Sequence, residues 1–153
     1  MLEVEPVPDE AAADLYRALY AGLPGPVPDL VREASGPAPT EVVAAREAGE
    51  LVGWAELFPA PGEPGAAVLQ WLLSDRERQR ITSGFTTAHP ASPAEIDVLC
   101  ALASAAADRA RAAGHTDLRW WPAEPGFAEG IAAALGAEPV VDAEGWRSYR
   151  LRL

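Results

Sequence analysis

The sequence has no lysine and no asparagine, and it has one cysteine and two histidines in 153 residues. Each shortage excludes something. A lone thiol, Cys100, forms no internal disulfide and supports no multi-cysteine zinc site. His89 and His115 are too few for a histidine-based metal cluster, so no metal is expected. No apolar run approaches the ~20 residues of a membrane span, and the acidic start of the sequence gives no expectation of a signal peptide. A basic stripe is missing as well: 12 bases, all arginine, stand against 23 acids, for a net charge of −11. Such a chain repels phosphate backbones and anionic bilayers, so neither nucleic acid nor membrane is an expected partner. A cytoplasmic location is the expectation.

What is present suits one packed domain over residues 1–153. Apolar residues make up 49% and charged residues 23%, a balance that buries a core and argues against disorder. Residues 2–7 alternate as a short strand. Asp9 reads as the N-cap of a helix over 10–21, which Gly22-Leu23-Pro24-Gly25 breaks. A short helix over 29–35 is expected next. Residues 41–47 and 51–58 read as a hairpin about Ala48-Gly49-Glu50, and 67–74 as an apolar central strand. Ser92-Pro93-Ala94-Glu95 is a capping box with proline at the first helical position, opening the longest helix, 93–113. A strand over 117–121, a helix over 126–135 and a strand pair over 138–142 and 146–152 close the chain. The order mixes hairpins with helical crossovers, so the class is α+β with a mixed sheet.

Three pieces of that order resemble the GNAT acyl-CoA N-acyltransferase superfamily. The hairpin Glu47-Ala48-Gly49-Glu50-Leu51-Val52-Gly53-Trp54-Ala55-Glu56-Leu57 is similar to the family's second and third strands. Ala101 to Gly114, followed by Thr116-Asp117-Leu118-Arg119-Trp120, is similar to its central helix and fifth strand. Ala128 to Ala137, with Leu135-Gly136, is similar to its late helix and turn. Trp120-Trp121-Pro122-Ala123-Glu124 also resembles a stretch of some actinobacterial members. The resemblance implies a single GNAT-like domain with a mixed sheet of about seven strands and about four helices. It implies acyl transfer from acetyl-CoA or another acyl-CoA to a small amine, by direct attack of the amine on the thioester. A homodimer through the C-terminal strand pair is a further implication.

The residues depart from the family where the cofactor's pyrophosphate is held. An Arg/Gln-x-x-Gly-x-Gly/Ala loop running into a helix is expected there, because glycine backbones converge their N–H groups on phosphate. The matching stretch is Arg78-Gln79-Arg80-Ile81-Thr82-Ser83, with Ile81 and Ser83 at the glycine positions. Two readings stand. Residues 80–88 are an inserted strand or solvated insertion, or Arg78, Arg80, Thr82 and Ser83 form a remodelled anion site. Ala132 occupies the place of the family's thiolate-protonating tyrosine, and Pro125 that of a frequent asparagine. Glu56 and Glu124 are the candidate general bases, each with a plain surface acid as the alternative. The backbone near Leu73 is the implied carbonyl-polarising group. Trp71 and Trp121 are candidates for a substrate pocket, with core packing as the alternative. His115 is read as a helix C-terminal cap and Cys100 as a buried small hydrophobe. The degenerate loop and missing tyrosine leave a second function open: a fold that no longer binds CoA and serves as a ligand- or partner-binding module or a repurposed biosynthetic enzyme.

Overall fold

A computed structural model describes residues 1–27, 39–83, 92–121 and 127–153. Among them are eight strands and three helices: β1 (Leu2–Pro6), α1 (Asp9–Tyr20), β2 (Glu41–Glu47), β3 (Glu50–Pro59), β4 (Ala66–Asp75), β5 (Arg80–Ser83), α2 (Pro93–Ala112), β6 (Asp117–Trp120), α3 (Phe127–Leu135), β7 (Glu138–Val141) and β8 (Arg147–Arg152). The strands form one sheet in the order β1-β2-β3-β4-β6-β8-β7, with β5 also on β4. All pairings are antiparallel except β4 with β6. The expected α+β class and mixed sheet are observed. The helix expected over 29–35 lies outside the described residues. The inserted-strand reading of 80–88 is met at Arg80–Ser83, and the rest of that segment lies outside the description.

Strand alternation splits the core over two faces. Val43, Ala45, Leu57, Trp71 and Leu73 face α2 and α3, while Val42, Ala44, Trp54 and Leu72 meet α1. Helix α2 lies close on the sheet because its inner face is largely alanine: Ala103, Ala106, Ala107 and Ala110 are buried. Gly53 completes that fit, since a Cβ there would stand 3.0 Å from Leu102 and Leu73. Trp120 is fully buried, stacks on Tyr149 at 6.2 Å, and donates Nε1–H to the Ala128 carbonyl, 3.1 Å away. No described helix is long and apolar enough to cross a membrane.

Two helix ends differ in detail from the sequence reading. Asp9 is not the cap of α1: the cap is Pro8, without a side-chain bond, and Asp9 and Glu10 sit in the first turn, where acids suit the helix dipole. At the end of α2 the cap is made by backbone, not imidazole. Gly114 takes φ 88°, and the His115 N–H reaches the Ala110 carbonyl at 3.0 Å. The His115 Nδ1 is buried without a partner among the described residues.

Candidate functional site at the β4 edge and the start of α2

The edge of β4 opposite β3 is where the sheet departs from regularity. Strand β6 pairs with it only at residues 66–68, and β5 pairs with it at 72–75. Residues 69–71 lie between the two pairings, a break of about 10 Å at strand rise. Leu73, the expected carbonyl-polarising position, is paired with Gly53 on one side and Thr82 on the other. Its side chain is 3% exposed. The chain itself therefore covers the strand edge on which the implied chemistry relies.

The hairpin that carries β5 is fastened at several points. Arg76 donates to the carbonyls of Ala21 and Leu19 at the end of α1. The backbone N–H of Arg78 donates to Asp75 Oδ1 at 3.0 Å, and its guanidinium stands 3.3 Å from Asp75 Oδ2 and 3.6 Å from Glu95 Oε1. Gln79 takes a positive φ of 55° in the turn. Ile81 packs on the α1 face and Thr82 is buried. These are the attachments of a folded hairpin, which explains why Ile81 and Ser83, both in β5, stand where a phosphate loop would carry glycine.

The start of α2 is closed in its own way. A helix N-terminus attracts anions through its free N–H groups. Here Pro93 has no N–H, and the Glu95 N–H is bonded to Ser92 Oγ at 3.2 Å. Glu95 Oε1 in turn accepts from the Ser92 N–H at 3.2 Å. The helix start thus already holds an anion, the carboxylate of Glu95. A recess of about 320 Å³ opens beside it, over an apolar floor of Leu2, Leu73 and Val98. Glu47 and Asp97 line it together with Glu95. These carboxylates repel a pyrophosphate.

Among the described residues, the sequence candidates do not come together as one site. Arg78 is tied to Asp75 and Glu95. Arg80 pairs in register with Asp75, and Ser83 with Leu72, as members of a ladder. Glu56 is partly buried on β3, in register with Val42 and Gln70, on the face of Trp54. Glu124 and Pro125 lie outside the described residues. Trp71 is 3% exposed in the core beneath α2, while Trp121 is 38% exposed just past β6. Ala132 is buried on α3. Cys100 is partly buried, and burial together with Asp97 pushes its thiol pKa up. No group of three or more candidate metal ligands is gathered among the described residues. The sequence reading found the capping box but missed its consequence, that Glu95 fills the anion position. The signal was Glu95 itself, in the first turn of the helix.

No family model and no curated protein sequence matches the chain. Solved structures do. The GNAT domain of a Streptomyces lividans protein, PAT, is 17% identical over 99% of this chain and 90% of its own, with a TM-score of 0.63. The Drosophila melanogaster polyamine N-acetyltransferase, an enzyme that forms N-acetylagmatine, is 13% identical over the whole of both chains at 0.59. The yncA protein of Salmonella typhimurium, determined with its cofactor acetyl-CoA, is 14% identical over 99% of this chain and 92% of its own at 0.55. The chain has the GNAT fold. Among its described residues, the positions that would hold a CoA pyrophosphate do not fit that group.

Proposed function

We propose that this chain is a GNAT-fold binding module rather than an acyl-CoA-dependent transferase. One observation carries the reading: the N-terminus of α2 is filled by the chain's own Glu95 carboxylate, which caps the Ser92 N–H. A pyrophosphate would have to displace that carboxylate and leave it beside its own charge. The pairing of β5 with residues 72–75 supports the same conclusion from the thioester end.

A second reading has its own support. The fold runs over nearly the whole chain of acetyltransferase structures, and the break at residues 69–71 stands between β4 and β6. In it the chain transfers an acyl group from acetyl-CoA or another acyl-CoA to a small amine, in the cytoplasm. Arg78, Arg80 and Ser83 would meet the cofactor, with the backbone at Leu73. Glu56 or Glu124 would take the amine proton. Trp71 and Trp121 would border the acyl pocket. The net charge of −11 would draw a cationic amine.

Calorimetric titration with acetyl-CoA separates the two. The expected result is no saturable heat from a chain that melts cooperatively. Micromolar binding overturns the module reading and restores the transferase.

A further inference from the structure

The α1 side carries another recess, and its charge is opposite to that at α2. It has a volume of about 400 Å³ and lies between the end of α1 and the β4–β5 hairpin. Leu23, Pro24, Leu72 and Ile81 give it apolar walls, and Tyr20, Gln79 and Arg80 line it with polar groups. No carboxylate of the described residues lines it.

Arg80 is the anomaly. Eight of the described arginines hold ion pairs, Arg76 holds backbone carbonyls, and Arg147 is exposed. Arg80 is partly buried, and its Nε has no hydrogen-bond partner among the described residues. Its ladder partner is Asp75, the acid closest to it in register. Both oxygens of Asp75 are engaged by Arg78, one by the backbone N–H and one by the guanidinium. A chain with 23 acids therefore leaves a half-buried guanidinium without an ion pair, among the described residues, at the wall of a recess. An unsatisfied buried donor costs stability, and such groups persist where something else completes them. Tyr20 also lines the recess, and burial together with its hydrogen bond to Tyr16 pushes its hydroxyl pKa up.

We propose that this recess binds a carboxylate with an apolar body. The carboxylate pairs with Arg80, and the body lies against Leu23, Pro24, Leu72 and Ile81. One guanidinium suits a single negative charge, whereas a di- or polyphosphate calls for several cations. The inference goes beyond the module reading. Acetyl-CoA binding at the start of α2 would overturn that reading and leave this recess untouched.

Hexanoate is the probe, followed by the backbone amide shifts of Tyr20, Leu72 and Ile81 in an NMR titration. Saturable binding is expected, weakened at least about tenfold in Arg80→Met by loss of a charge-assisted pair. Arg147→Met, at an exposed arginine away from the recess, should bind hexanoate as the parent does, and hexylammonium and inorganic phosphate should move none of these amides. Tyr20→Phe reads the site independently if Arg80→Met does not fold, and it should bind more weakly than the parent. Three results overturn the proposal: no shift with hexanoate up to its solubility, parental affinity in the folded Arg80→Met or, failing that variant, in Tyr20→Phe, or phosphate binding in preference to hexanoate.

Discussion

Glu95 decides more about this chain than any other single side chain. It is the third helical residue of α2, where a carboxylate both caps a backbone N–H and meets the positive end of the helix dipole. The same two properties would draw a phosphate there, so a cap of this kind and an anionic ligand compete for one place. The cap has a measurable worth. Ser92→Ala removes the acceptor for the Glu95 N–H and should lower stability by about 1 kcal/mol in urea unfolding. Glu95→Gln keeps an oxygen for the Ser92 N–H and should cost less. If Ser92→Ala unfolds at the parental urea concentration, the box does not hold the helix start. At this scale the sequence was half legible. Serine, proline and glutamate at their spacing announce the box from local rules alone. The unpaired state of Arg80 is illegible in sequence, because it depends on which of two nearby arginines wins Asp75 in three dimensions.

At the scale of elements, the hairpin of β4 and β5 is the departure that matters. Most elements could be read because each carries one local signal: apolar runs on either side of the Ala48-Gly49 turn in β2 and β3, helical spacing in α1, a stop at Gly114 after α2. The segment after β4 obeys two rules in turn. Asp75-Arg76-Glu77-Arg78 reads as a solvated turn, and Ile81-Thr82 as strand. Only pairing with β4 settles which prevails, and pairing is a long-range fact. The site inherited that ambiguity, since the same residues align with a phosphate loop. What fixes the hairpin is Arg76, whose guanidinium reaches the last carbonyls of α1, groups that no helical N–H can satisfy. Arg76→Met should therefore loosen two elements at once, at a cost of about 1 kcal/mol for bonds that stay partly in solvent. Hydrogen exchange is the decisive measurement. Faster exchange is expected in both the last turn of α1 and β5, and an effect confined to α1 would show that the hairpin holds itself.

For the whole molecule the controlling quantity is charge. The fold class was open to sequence reasoning because burial on two faces of one sheet needs only the order and polarity of the elements. Where the charges settle was not, and the structure sorts them unevenly. Arg109 pairs with Glu41, Arg119 with Glu63, and Arg150 and Arg152 share Glu138, whose carboxyl is held below its ordinary pKa chiefly by Arg150. These pairs sit on exposed or half-exposed side chains, where each is worth ~0–1 kcal/mol. The surplus of 11 negative charges has no such compensation and repels itself across the surface. Salt screens both effects, so its net action reports which is larger. With individually weak pairs against a uniform surplus, repulsion should dominate, and added salt should stabilise. Raising sodium chloride from about 20 mM to about 300 mM shortens the screening length from roughly 20 Å to 6 Å and should raise the melting temperature. The gain should shrink on acidification toward pH 4.5, the isoelectric point, as the surplus is titrated away. A melting temperature that falls with salt at neutral pH would instead mean that attraction within the ion pairs outweighs the repulsion of the surplus.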